Sequence, residues 1–200
     1  VKPNWLEAAK WYSKAAEAGD ADAVRTLSQL GRNWIFKYRD ASDADIYALI
    51  ETQARKGYAA AQWSLGVMNY RFGAPSQEGR RNAAEAFGWY RRAAEQGHPD
   101  SQASLAAAYA DGIGTPQDLV EAYKWYDLAA ASIPAPRRRQ NFEGIRADFI
   151  KQRNVLARKM TRAQIAQAQR LAQEWKPKPE RRERIARETL EIYAPLARRI

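Results

Sequence analysis

The residues whose types and spacing could do chemistry are a lone histidine, a closely spaced glycine pair and a set of tryptophans that each stand beside a tyrosine. His98 is the single histidine among 200 residues, and the chain has no cysteine. A general base or metal ligand needs partners, and no second histidine, cysteine or nucleophilic serine offers itself. A structural zinc site is therefore strongly disfavoured. The corresponding positions in related stretches hold Asp20 and Tyr58, so His98 reads as a variable, exposed loop residue. Gly112 and Gly114 could cradle a phosphate only after a strand and within a longer glycine fingerprint. Neither is present, so the pair reads as a helix stop and tight turn. Trp11–Tyr12, Trp89–Tyr90 and Trp125–Tyr126 could stack bases or sugars. Their recurrence at near-constant spacing favours core knobs instead, with a cost of about 3–5 kcal/mol on truncation to alanine. No catalytic, cofactor-binding or metal-ligating residue follows from these patterns.

These residues sit in recurring helical segments. "LEAAKWYSKAAEAG" (6–19) is repeated as "AEAFGWYRRAAEQG" (84–97) and "VEAYKWYDLAAAS" (120–132), with a weaker copy in "DIYALIETQARKG" (45–57). Trp11, Leu49, Trp89 and Trp125 are spaced by 38, 40 and 36 residues, a period typical of helical solenoids. Each copy has a cap-x-x-acid start: Asn4–Glu7, Ser42–Asp45, Asn82–Glu85 and Asp118–Glu121. In such a box the short polar side chain accepts from an orphan backbone N–H. Gly19, Gly57 and Gly97 stop the first three copies, as a residue with positive φ would. Leu27, Leu65 and Leu105 share one place in the second helix of each unit. Paired alanines (Ala15 and Ala16, Ala93 and Ala94, Ala129 and Ala130) let neighbouring helices approach closely. No stretch alternates with period two, so the expected fold is all-α, an α/α solenoid of helix pairs.

Charge divides the chain. Residues 1–130 carry 15 Lys/Arg against 16 Asp/Glu, and residues 131–200 carry 18 against 7. The net charge of +10 therefore belongs to the C-terminal third. The array is expected over 1–134, followed by a helical cap over 135–178 and a basic terminal helix over 179–200. In the cap, Phe142, Ile145, Phe149, Leu156 and Met160 form one apolar stripe. Thr161–Gln164 caps a second helix, whose stripe is Ile165, Ala168, Leu171, Ala172 and Trp175. "KPKP" (176–179) breaks it. A chain of this size buries about 70% of its unfolded surface, so it needs no disulfide or metal staple. No apolar run is long enough to span a membrane, and no signal-peptide h-region is present.

The pattern A-x-x-W-Y-x-x-A-A-x-x-G followed by L-x-x-x-Y-x-x-G-x-G resembles the Sel1-like repeat, a relative of the tetratricopeptide repeat. Residues 84–133 carry it best, through Trp89, Tyr90, Ala93, Ala94, Gly97, Leu105, Tyr109, Gly112, Gly114 and Asp118. The earlier copies depart from it: Gly31 and Asn69 stand at the Tyr109 position, and Leu49 and Ile50 replace the aromatic pair. The tail "KMTRAQIAQAQRLAQEW" (159–175) looks like the ending of many bacterial proteins of this family. The resemblance implies a non-enzymatic adaptor that holds a protein partner on a concave face. Bacterial members act in envelope assembly, signalling or virulence, which favours a periplasmic or secreted setting.

In the family the second helices line the concave face, which makes Arg25, Gln62, Trp63, Tyr70, Arg71 and Gln102 the expected partner-binding residues. Trp63 leads them, because Arg25 and Ala103 stand at its place in other copies. Arg137, Arg138 and Arg139 form a candidate basic patch for an acidic protein or an anionic envelope surface. Nucleic acid is disfavoured, because Glu180–Arg184 and Glu183–Arg187 are placed to pair along a helix. The rival function is binding or modifying an envelope peptide or glycan. Shifting the chain by 114 places lays Val1 on Thr115, so the chain is expected to begin inside a repeat.

Overall fold

The computed structural model describes residues 5–17, 20, 22–23, 26–27, 43–71, 77–133 and 142–178. Gly19, Arg25, the Arg137–Arg139 patch and residues 179–200 lie outside them, as does the side chain of Arg71. All regular structure among the described residues is helical: α1 (Trp5–Glu17), α2 (Asp43–Arg55), α3 (Ala59–Arg71), α4 (Gln77–Glu95), α5 (Pro99–Asp111), α6 (Leu119–Ser132), α7 (Phe142–Ala157) and α8 (Arg162–Glu174). The expected all-α solenoid is what folds.

Local chemistry sets several of these ends. The Asp118 carboxylate accepts from the Val120 and Glu121 amides and opens α6. Thr161 and Gln164 form a reciprocal capping box at α8. Gly57 and Gly97 follow α2 and α4 with φ of 98° and 89°. One expected start is corrected. Asn82 is not a cap, because α4 begins at Gln77 and runs through it. The preceding Gln77, Glu78, Arg80 and Arg81 are good helix formers and extend the helix upstream.

Packing passes along the chain between neighbours: α1 on α2, α2 on α3, α3 on α4, α4 on α5, α5 on α6, and α6 on both α7 and α8. This is the nearest-neighbour arrangement of a solenoid. Two apolar clusters result. The first gathers Ala9, Leu27, Ile50, Ala54, Ala61, Leu65 and Met68. The second gathers Ala86, Tyr90, Ala94, Leu105, Trp125, Tyr126 and Leu156. Helix α3 joins them: Leu65 faces the first cluster, and Trp63 and Val67 pack against the second. Leu27, Leu65 and Leu105 are all fully buried.

Two glycines permit close approach. A Cβ at Gly66 would lie 2.6 Å from the Tyr90 ring, where α3 meets α4. At Gly114, with φ +72°, a Cβ would lie 2.7 Å from the Ala83 carbonyl carbon. The loop after α5 therefore lies directly on the α4 backbone.

The expected tryptophan core is corrected at one end. Trp125 is 5% exposed, but Trp11 is 63% exposed and its neighbour Tyr12 is also exposed. The difference lies in what covers them. Trp175 packs edge-on against Trp125, with centroids 5.9 Å apart, whereas Trp11 meets a Lys14 ammonium 5.8 Å from its ring centroid. Trp89 is intermediate, packed against the first cluster with Arg92 4.5 Å over its ring.

Candidate functional site

Two recesses among the described residues bear on function. The first is an apolar cleft of about 150 Å³ between α3, α4 and α5, walled by Tyr70, Phe87, Tyr90, Ser104, Ala107 and Ile113. Tyr70 is 49% exposed at its edge. Trp63, two helical turns back on α3, donates from Nε1 to Ser104 Oγ at 3.3 Å. Ser104 in turn donates to the Asp100 carbonyl at 2.8 Å. The structure therefore presents Tyr70 at the cleft, whereas Trp63 is half-buried outside its wall and reaches it only through the hydrogen bond to Ser104.

Gln62 and Gln102 do not join them. They are 5% and 0% exposed, which corrects their reading as open partner-binding residues. Each fastens helix ends. The Gln62 amide donates to the Ala54 carbonyl at the end of α2 (3.1 Å), and its oxygen accepts from Gln96 at 2.8 Å. The Gln102 amide donates to the Ala94 carbonyl near the end of α4 (3.4 Å), and its oxygen accepts from Ser132 at 3.1 Å. Helix ends leave carbonyls without intrahelical partners; the Ala54 and Ala94 carbonyls accept the Gly57 and Gly97 amides at 3.0 and 2.9 Å, and these glutamines add a second donor to each. Their recurrence forty residues apart was the available signal that they are structural.

His98 is also corrected. It is the N-cap of α5, and its Nδ1 accepts from the Ser101 amide at 3.3 Å. Its ring lies 5.5 Å from that of Trp63. It is half-buried in the array. Gly112 caps the C-terminus of α5 in a left-handed conformation, with its amide bonded to the Ala108 carbonyl.

The second recess is a groove of about 410 Å³ between α4, α5 and α6. Its wall carries Arg91 and Glu95 from α4, Tyr109 from α5, and Glu121, Lys124 and Trp125 from α6. The two acids are engaged. Glu121 accepts from Trp125 Nε1 at 2.9 Å and from Lys124 Nζ at 2.6 Å. Glu95 Oε1 accepts from Arg91 Nε at 3.1 Å. The chain's own Trp175, Lys176 and Lys178, following α8, also line this groove. Trp175 stands on Trp125, and the Lys178 amide donates to the Glu95 carbonyl at 2.7 Å. Lys178 Nζ donates to Glu95 Oε2 at 2.8 Å. Pro177 and Trp175 lie over Gly97. Burial pushes the Glu95 carboxyl up, but the Lys178 and Arg91 hydrogen bonds and charges outweigh it and hold the group below its ordinary value. Burial, reinforced by the Glu121 charge, raises the Tyr109 phenol, which is neutral at pH 7. Sequence reasoning missed Glu95 and Lys178 because they are 83 residues apart.

Among the described residues no group of three or more His, Cys, Asp or Glu is placed to hold a metal ion. No helix among them is long and apolar enough to cross a membrane.

Comparison with known proteins places these features. Residues 1–20, 59–98 and 99–132 match the Sel1 repeat. The chain is 32% identical over 137 residues to chitin synthase regulator SKT5 of Saccharomyces cerevisiae, a match covering 66% of this chain and 18% of that protein. It is 29% identical over 102 residues to the ERAD-associated E3 ubiquitin-protein ligase component HRD3A of Arabidopsis thaliana, covering 51% and 14%. The chain thus spans less than a fifth of the length of these relatives. Among solved structures it resembles c5321, a protective antigen of uropathogenic Escherichia coli strains displaying an SLR fold. That likeness has a TM-score of 0.64 at 29% identity, covering 84% of this chain and 32% of that one. The repeat matches, the stacked helix pairs and this structural likeness agree that the chain carries Sel1 repeats, which mediate protein–protein interaction.

Proposed function

We propose that this chain is a non-enzymatic interaction scaffold that binds a partner protein on the second-helix face of its Sel1-repeat array, the face the family resemblance implies is concave. The observation that carries this reading is the α3–α5 cleft, where a half-exposed tyrosine, Tyr70, borders an apolar recess whose Ser104 accepts from the Trp63 indole. Aromatic side chains at the mouth of a desolvated pocket are the usual anchors of protein interfaces. Arg25 and the Arg71 side chain, which lie outside the described residues, are proposed to add to this surface. The names of the relatives agree with an adaptor role: one is a regulator of a synthase and the other a component of a ligase. The setting proposed is bacterial envelope assembly, signalling or virulence, in the periplasm or outside the cell. The Arg137–Arg139 patch would add attraction to an acidic protein or an anionic envelope surface.

The test uses the wild-type chain and its Tyr70→Ala variant as immobilised baits in an envelope extract of the source organism. A stoichiometric partner should be retained by the wild type and fall at least about ten-fold with Tyr70→Ala, the loss of one hot spot. Equal retention by both baits removes this face from the interface.

A further inference from the structure

The segment after α8 is placed like a ligand. Pro177 supplies no amide and fixes its own φ, and it disfavours helix at the residue before it, so the chain leaves α8 at Trp175 in an extended conformation. Three kinds of contact then hold it in the groove: a ring on a ring at Trp125, a main-chain hydrogen bond to Glu95, and an ammonium on the Glu95 carboxylate. The receiving side is organised without help from the tail. Glu121 fixes the Trp125 indole and Arg91 fixes one Glu95 oxygen, leaving the other oxygen for a cation. Such a combination of backbone hydrogen bond, aromatic seat and paired charge is how folded domains grip extended peptides.

From this geometry we propose that the α4–α6 groove is a second, peptide-binding site, which takes an extended partner segment carrying an aromatic residue, a proline and a cation three residues after the aromatic, and that residues 175–178 occupy it in cis as a displaceable mimic. This rests on the scaffold reading and names a further class of partner for it. The tail is tethered, so its effective concentration at the groove is on the order of millimolar. An outside segment binds only by outcompeting the tail or after the tail is released. The groove also retains about 410 Å³ of open volume beside Arg91, Tyr109 and Lys124, space that the four tail residues leave unfilled.

The experiment uses the full chain, wild type and Trp175→Ala, with a fluorescent peptide of sequence Gln-Glu-Trp-Lys-Pro-Lys, which copies residues 173–178. Trp175→Ala should bind this peptide at least about ten-fold more tightly than the wild type, because the cis competitor is weakened. Adding Glu95→Lys should abolish that binding, as should replacing the tryptophan of the peptide by alanine. Circular dichroism and thermal melting establish that Trp175→Ala is folded. If it is not, Lys178→Glu replaces it, since that side chain is 70% exposed, and should raise peptide affinity about two- to five-fold, the worth of a surface ion pair. Equal affinity in the wild type and the folded variant, or no binding by either, makes the tail a permanent cap and overturns the proposal. A wild-type dimer that the peptide converts to monomer places the tail in a second copy and also overturns it. A chain that binds no peptide yet still loses its partner through Tyr70→Ala refutes the groove alone and leaves the scaffold reading standing.

Discussion

Trp11 and Trp125 occupy one repeat position but sit in opposite surroundings, and their substitutions should differ accordingly. Trp125→Ala removes a ring that is 5% exposed and seats Trp175. It should cost about 3–5 kcal/mol in urea unfolding. Trp11, 63% exposed, should tolerate alanine within about 0.5 kcal/mol. Equal costs at the two sites would refute this account of the repeat. His98→Ala should lower stability by about 1 kcal/mol through loss of the α5 N-cap, and His98→Asn should restore most of it. Gly114→Ala should cost about 1–3 kcal/mol or more, because the positive φ and the Ala83 backbone both oppose a Cβ. What the sequence conveyed about these residues was type and repeat position. It did not convey coverage, because whether a ring is buried depends on which distant segment lies over it.

At the scale of elements, the helix ends are the controlling features. Gln62 and Gln102 each tie the end of one helix to a later one, so a single side chain spans three elements. Gln102→Ala leaves the Ala94 carbonyl and the Ser132 hydroxyl without this partner and should cost about 1–3 kcal/mol. An unchanged m-value in the same urea titration would show that the loss is local. The helices themselves were legible from the chain: the Gly57 and Gly97 stops, the Asp118 cap and the Thr161 box lie where the pattern puts them. Asn82 was misleading because a cap motif competes with helix propensity upstream, and in α4 propensity won. The glutamines were misread because a polar residue on a second helix looks the same in sequence whether it faces a partner or a neighbouring helix end.

For the whole molecule, the defining contact is the return of residues 175–178 to α4 and α6. Its charge component should depend on pH. The Glu95 carboxyl is held below its ordinary value by Lys178 and Arg91 despite its burial, with Lys176, Lys124 and Glu121 on the same groove. A carboxyl lowered in the folded state stabilises above its unfolded value, and that contribution is lost as pH falls through the lowered one. Exchange of the Lys178 amide should therefore be slow at neutral pH, relative to its intrinsic rate, and lose protection below the ordinary carboxylate range. Glu95→Gln should flatten that profile; an unchanged profile would assign the protection to Trp175 alone. The sequence by itself determined the repeat, the helix pairs, the buried leucines and the location of basic charge, because these follow from periodicity and local propensity along contiguous residues. Only the tertiary structure decided which tryptophan is covered, which glutamines are interior and what fills the α4–α6 groove. Those outcomes depend on pairs such as Glu95 and Lys178, 83 residues apart, which come together only after every intervening helix has taken its packing angle.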